Sequence, residues 1–373
     1  MPNLLFCMTP GVSLGTWKKI GSIKRELKLY VEYVRNGWNV RILTFDKSRI
    51  PDLPEGIEAV SFPHRQLLWF LPWTHKELGK WADVIKTNQS HHAYFYTRAA
   101  RYWEKPILLR CGYVHGEYLE TINGYTRRTR LYQWLESKAF HSVANCQLPT
   151  VELAEWIRKR YKVPKKKISV IPNFVDTDLF KPVSGIKKKG KSVVSVGRLE
   201  AVKRFDLLIE ACAKIPRCEL TLVGAGLERK RLQLLASELG LKLILTGNVP
   251  NETLPRIIQE HTVFAITSER EGHPKALIEA MSCGMPCIGV STNGISDVIG
   301  NGDNGLLVRS SLDTLREGIS SLLEDNKLRE KLSEKARDSA VKKYSFEGCF
   351  SREHWLLKSI IEKAQVNVMI DRK

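Results

Sequence analysis

Short apolar runs alternate with amphipathic stretches along most of this chain. Residues 4–8 read as a buried strand, and 39–44 alternate with the period of a half-buried one. Between them a glycine-punctuated loop at 11–21 leads into a helical pattern at 23–36, which stops at Gly37. Residues 84–86, 107–110, 143–145 and 168–171 add short strands, and 126–140 and 150–161 add helices. Residues 182–190 are rich in Gly, Pro and Lys, lack periodicity and read as a linker. The pattern then restarts, with strands at 192–196, 219–223, 242–245, 263–266 and 286–290. Helices at 205–213, 228–239, 254–260, 276–282 and 312–324 separate them. This alternation predicts an α/β protein with parallel, doubly wound sheets. Two halves of similar size predict two domains facing a central cleft, with ligands outside the carboxyl ends of the strands.

Length supports the division, because 373 residues exceed one typical core. A composition that is 43% hydrophobic and 27% charged is that of a soluble globular protein. No apolar run approaches the roughly 18 residues that span a bilayer. The start, Met1 to Met8, lacks a charged leader and reads as a first strand, which suits a cytoplasmic protein. The eight cysteines are scattered without a C-x-x-C pair, which argues for reduced thiols and against a zinc site. The formal net charge is +19. Residues 1–180 hold 28 Lys and Arg against 16 Asp and Glu, so +12 of that charge lies in the first half. Such a field favours anionic partners: phosphorylated substrates, membrane surfaces or nucleic acid.

The richest stretch for chemistry is 271–279, which holds Glu271-Gly272-His273-Pro274-Lys275-Ala276-Leu277 and ends at Glu279. It reads as a loop entering a helix. Gly272 allows close backbone approach to a ligand, and the first helical amides favour an anion. Glu279, about one turn in, is expected to face the same pocket. Further upstream, a strand runs into Gly197-Arg198, and Lys203 follows five residues after Arg198. Two cations at a strand's carboxyl end suit a diphosphate leaving group. Val223-Gly224-Ala225-Gly226 lacks the third glycine of a dinucleotide fingerprint and reads as a structural turn. Gly247, Asn248 and Val249 end another strand, where exposed backbone suits a flat base. Asp176-Thr177-Asp178 has the D-x-D form of some metal sites, but no other carboxylate or histidine cluster accompanies it. Basic residues stand beside aromatics at Arg127, Arg128 and Arg130 with Leu131 and Trp134, and residues 67–73 are unusually aromatic. Two readings stand for these segments: a face for an anionic membrane, or core aromatics beneath a solvated charged face.

Taken in order, these pieces resemble the retaining, nucleotide-sugar-dependent glycosyltransferases of family 4, with the GT-B fold. The likeness is strongest over residues 168–308. It includes Ile171-Pro172-Asn173, the Gly197-Arg198 and Lys203 segment, Gly224 with Gly226, Gly247-Asn248-Val249, Ser268 with Glu271 to Glu279, Gly294 with Asp297, and Gly305 to Val308. The resemblance implies that Arg198 and Lys203 hold the donor diphosphate. It implies that Glu271 contacts a donor-sugar hydroxyl, Glu279 the ribose, and Gly247 to Val249 the base. Amides from Gly272 to Leu277 would contact sugar and phosphate. Gly15 would occupy the glycine-rich loop near the donor phosphates, although Ser13-Leu14-Gly15-Thr16 has one glycine where the family usually has a pair. The family often has a histidine just after the strand matching 107–110. Here the chain reads Arg110-Cys111-Gly112-Tyr113-Val114-His115, so Arg110 and His115 are the acceptor-side candidates.

The resulting expectation is an enzyme with two Rossmann-like domains, at 1–181 and 191–346. A last helix, 347–373, is implied to return to the first. The expected reaction moves a sugar from a nucleotide sugar to a glycan or lipid-linked acceptor hydroxyl, with retained configuration. No cofactor, metal or nucleic acid is expected, and a peripheral place on an anionic membrane face is left open. A sugar-phosphate synthase with a small soluble acceptor is one alternative. The other, of a different class, is a basic nucleic-acid-binding protein, against which stands the absence of any recognisable nucleic-acid module.

Overall fold

A computed structural model describes residues 1–47 and 49–371. The chain folds as two compact units, residues 1–171 with 350–373 and residues 172–349.

The first unit carries a seven-stranded sheet: β1 (Asn3–Cys7), β2 (Asn39–Thr44), β3 (Ile57–Ser61), β4 (Val84–Thr87), β5 (Ile107–Arg110), β6 (Asn145–Leu148) and β7 (Ile168–Val170). Their order is β3-β2-β1-β4-β5-β6-β7, and neighbouring strands pair in parallel. The second unit holds six strands: β8 (Ser192–Val196), β9 (Glu219–Val223), β10 (Lys242–Gly247), β11 (Val263–Ile266), β12 (Cys287–Val290) and β13 (Leu306–Val308). Their order is β10-β9-β8-β11-β12-β13, again parallel. In each sheet the winding reverses once, between β1 and β4 and between β8 and β11. Ligands of open α/β sheets bind at such reversals, outside the carboxyl ends.

The inner strands of the second sheet are buried on both faces because they are apolar at successive positions. Val193 packs with Leu207, Leu208, Ile319 and Leu322, while Val194 packs with Leu277, Ile278, Met281, Ala336 and Ala340. Adjacent residues thus serve opposite faces, as the pleat requires.

Residues 172–181, assigned to the first domain on sequence, group with the second unit. The Val175 amide donates to the Tyr344 carbonyl at 2.8 Å, and Arg337 donates to the Phe180 carbonyl at 2.8 Å. Residues 347–349 group there as well, so the chain re-enters the first unit at Phe350. The last helix is Phe346–Asp371; Arg372 and Lys373 of the expected 347–373 segment lie outside the described residues. This helix buries Phe350, Leu356, Leu357 and Ile360, and it adds a buried charge. Glu353 is 5% exposed and ion-paired to Lys86 of β4, which is fully buried. Tyr33 Oη and Gln147 Nε2 also donate to Glu353, at 2.9 and 2.7 Å.

The loop expected at 11–21 contains a short helix, Leu14–Lys19, whose cap is Ser13: its hydroxyl accepts from the Thr16 amide at 3.2 Å. The strand expected at 143–145 lies instead at Asn145–Leu148.

Candidate active site

The loops that follow the two strands flanking the second sheet's reversal bring a lysine and a glutamate together. Lys203 follows β8 and Glu271 follows β11. Lys203 Nζ stands 2.5 Å from Glu271 Oε1, with the side chains 19% and 14% exposed. Ser268 Oγ donates to the same oxygen at 2.6 Å. Backbone bonds hold these loops in register. The Glu269 amide donates to the Val202 carbonyl at 2.9 Å, and Thr267 Oγ1 donates to the Lys203 and Arg204 carbonyls at 2.9 and 3.1 Å. Thr292 Oγ1, beyond β12, donates to the Ser268 carbonyl at 3.0 Å. Gly294 packs under the same loop with φ +81; a Cβ there would meet the Glu271 carbonyl oxygen at 2.4 Å. A lysine and a glutamate far apart in sequence are therefore placed by strand order.

Arg198 lies in the same strand-end region but points outward. Its side chain is 75% exposed and pairs with Glu200 at 2.6 Å. Its loop is stitched to the neighbouring strand ends: the Gly197 amide donates to Val223 O at 2.9 Å and the Leu199 amide to Ala225 O at 3.0 Å. Gly224 donates in turn to the Gly247 carbonyl at 2.9 Å. A Cβ on Gly224 would sit 2.0 Å from the Gly197 carbonyl, and one on Gly226 would sit 2.2 Å from that of Leu199. The Gly-x-Gly turn thus exists for close backbone packing. Gly247 adopts φ +73, Asn248 is exposed, and Val249 packs against the core.

The helix Lys275–Ser282 begins after Pro274, with Gly272 in the loop before it. Ala276 packs at the core edge, and Leu277 is fully buried. His273 is buried with its ring edge-on to Tyr344, 5.3 Å between centroids, and its carbonyl accepts from Asn173 Nδ2 at 3.0 Å. Glu279 lies on the buried stretch of this helix. The Asp176 carboxylate accepts from the Asp178 and Leu179 amides at 3.3 and 3.2 Å, so the D-x-D aspartate closes a turn.

In the first unit, Gly15 follows β1 and its amide donates to Asp46 Oδ1 at 2.9 Å. Asp46 also accepts from the Leu14 amide and from Thr44 Oγ1, at 3.2 and 2.7 Å. A Cβ on Gly15 would lie 2.6 Å from Asp46 Oδ1, so a larger residue there would displace that carboxylate. Asp46 went unnoticed on sequence; its place two residues beyond a strand is the signal that finds it. Arg110 ends β5, and its charge helps hold the buried Glu353 ionised. His115 opens the helix His115–Asn123, its amide donating to Glu136 Oε1 at 3.0 Å. Its ring stacks on His91, 3.9 Å between centroids, and burial lowers its pKa, with the nearby Arg128 charge adding to the effect. His91 and His92 were not singled out on sequence. Burial pushes them down further, to about 3 and about 4.

Residues 176–339 match the family described as Glycosyl transferases group 1, and residues 27–179 match Glycosyltransferase Family 4. The chain belongs to the group 1 glycosyltransferases of family 4. Among curated relatives of this family is the N-acetyl-alpha-D-glucosaminyl L-malate synthase of Bacillus anthracis. It is 29% identical over 203 residues, 51% of this chain and 53% of that protein. Another is the UDP-Gal:alpha-D-GlcNAc-diphosphoundecaprenol alpha-1,3-galactosyltransferase of Escherichia coli. It is 29% identical over 280 residues, 69% of this chain and 70% of that protein. The chain spans about half the length of several curated relatives that it matches. The solved sucrose-phosphate synthase of Thermosynechococcus elongatus superposes with a TM-score of 0.83 at 18% identity, over 97% of this chain and all of that one. The fold of this group 1 glycosyltransferase is GT-B.

Proposed function

We propose that this chain is a retaining glycosyltransferase that takes its sugar from a nucleotide diphosphate sugar. The observation that carries the reading is the Lys203–Glu271 contact at the sheet reversal, beside the amino end of the helix Lys275–Ser282. A diphosphate there competes with Glu271 for the Lys203 ammonium, and Glu271 is then free to accept from a sugar hydroxyl. Arg198, exposed on the neighbouring loop, adds a second charge. In the reaction the anomeric carbon–oxygen bond breaks and its electron pair leaves on the diphosphate. The acceptor hydroxyl attacks from the same face, and its proton passes to the departing phosphate oxygen. Preorganised cations lower the barrier because negative charge grows on that oxygen. No metal is needed in this account. Glu279, His273 and Gly247 to Val249 complete the donor site, and Gly15, Arg110 and His115 stand on the acceptor-bearing unit.

The acceptor is a glycan or a lipid-linked sugar, and the chain works at an anionic membrane face in glycan, lipopolysaccharide or glycolipid assembly. Surface chemistry supports this choice over a core role for the aromatics. Trp69, Phe70 and Trp73 are exposed, and the Arg98 guanidinium lies 4.0 Å over Trp69 and 4.7 Å over Trp73. Leu131 and Trp134 are exposed on the helix that bears Arg127, Arg128 and Arg130. Aromatics beside cations suit an interfacial position. Among the described residues, no helix is long and apolar enough to cross a membrane.

Glu271→Gln tests the assignment. Transfer from a nucleotide sugar should nearly vanish while the circular dichroism spectrum stays that of the wild type. Activity within a few-fold of the wild type would show that Glu271 is not at the reacting sugar.

A further inference from the structure

We propose that a cavity at the carboxyl ends of β1 and β2 binds the acceptor through a phosphate group that the acceptor carries. The proposal rests on the transferase reading above and extends it to the acceptor's chemical class. The cavity is formed wholly by residues of the first unit and measures about 700 Å3, which is the size of a small-ligand pocket. Three cations line it, each from a different segment: Lys19 at the end of the Leu14–Lys19 helix, Lys47 beyond β2, and Arg65 at the start of the turn Arg65–Phe70.

The one carboxylate in the lining is already engaged. Asp46 accepts from the amides of Leu14 and Gly15 and from the Thr44 hydroxyl. Its charge fixes the loop and offsets at most one of the three cations, so the lining stays net positive. Among the described residues, Lys19, Lys47 and Arg65 have no ion-pair partner, although many exposed cations elsewhere in the chain pair with a neighbouring carboxylate. Three like charges around one concavity raise its positive potential and draw an anion into it. Arg65 brings a planar fork and the lysines bring point charges, a set that suits phosphate oxygens. The Thr16 hydroxyl supplies a neutral donor, and Phe45 with Pro63 supplies an apolar wall for a sugar ring or a prenyl chain. The donor diphosphate has its own cations, Arg198 and Lys203, in the second unit. Gly15, which the resemblance places near the donor phosphates, also lines the cavity, so a nucleotide control decides whether the cavity's cations serve a separate anion.

The phosphate has two possible carriers, a soluble sugar phosphate or a lipid phosphate, and the test separates them. Calorimetry on the full chain would use glucose 6-phosphate against glucose, geranyl phosphate against geraniol, and UDP as the donor-side control, with GDP in its place if UDP does not bind. Each protein would be examined at low and high salt. The wild type should bind at least one phosphate more tightly than its uncharged counterpart, by about tenfold or more. Lys47→Ala combined with Arg65→Ala should remove that preference and leave UDP affinity within about twofold. Both replaced side chains are exposed, so folding is expected to survive. Preference for glucose 6-phosphate assigns a soluble acceptor, and preference for geranyl phosphate assigns a lipid-linked one. The proposal is overturned if neither phosphate is preferred or if the double variant keeps the preference. It is also overturned if UDP affinity falls in step, because the cavity would then serve the donor. Failure of the wild type to bind either UDP or GDP would instead strike the transferase reading, with the phosphate result standing on its own.

Discussion

Replacing Glu353 with alanine should loosen the last helix on the first unit. The structure sets the scale. Lys86 is fully buried in the middle of the seven-stranded sheet, and its ion-pair partner is Glu353. Removing that partner leaves a buried ammonium uncompensated, and the Tyr33 hydroxyl and Gln147 amide each lose an acceptor. Breaking a buried pair from one side costs about 3–5 kcal/mol. That corresponds to at least about a hundredfold rise in the opening equilibrium. Hydrogen exchange across residues 350–363, read by mass spectrometry, measures it directly. Glu353→Leu combined with Lys86→Met should cost less than Glu353→Ala alone, because no charge is left behind. The pH dependence follows the same physics. Burial works to raise the Glu353 pKa, but the Lys86 charge, hydrogen bonds from Lys86 and Gln147, and the Arg110 charge outweigh it and hold the carboxyl below its usual range. A group lowered in this way contributes its full stability above the unfolded value of about 4.3 and loses it as pH falls through the folded value. Helix protection should therefore be intact at neutral pH and fail only in acid. Exchange in Glu353→Ala that matches the wild type would refute the reasoning.

Three further outcomes follow. Gly294→Ala should cut transfer steeply and shift the 268–272 loop, since its Cβ would meet the Glu271 carbonyl at 2.4 Å; kinetics beside exchange of that loop checks it, and unchanged kinetics contradicts it. Transfer should proceed in excess EDTA, because Lys203, Arg198 and helix amides carry the diphosphate; loss restored by magnesium or manganese would return Asp176 and Asp178 to a metal role. Vesicle co-sedimentation should be salt-sensitive and require anionic lipid. Changing Arg127, Arg128 and Arg130 to Ser should weaken it by about 1 kcal/mol per residue, and indifference to lipid charge would sink the membrane reading.

The fold was legible where local pattern and tertiary demand agree. Strands such as β8, β9 and β11 are apolar runs bounded by glycine or polar turns, and they occur where the pattern predicts them. Strand β6 was misplaced because Asn145 and Gln147 look like loop residues. Gln147 is tolerated inside a sheet because its side-chain nitrogen donates to Glu353, a partner 206 residues away. Lys86 likewise reads as an ordinary strand-end lysine until the last helix brings its carboxylate. The glycines and charges of the candidate site stood out in the sequence through their places at strand ends. What periodicity cannot supply is strand order, and strand order is what brings Lys203 onto Glu271 and gives β1 the Asp46 that clamps Gly15. The grouping of 172–181 with the second unit escaped notice for the same reason, since Val175 bonds to a residue far along the chain.

The central claim is that Lys203 and its loop hold the diphosphate of a nucleotide sugar. Calorimetric titration of UDP and GDP into the wild type and into Lys203→Ala tests it most directly. The account predicts that the wild type binds one of the two and that the variant loses about tenfold or more in affinity, as expected for a charge-assisted contact. Equal affinity in the two proteins, or no binding of either nucleotide to the wild type, would contradict it.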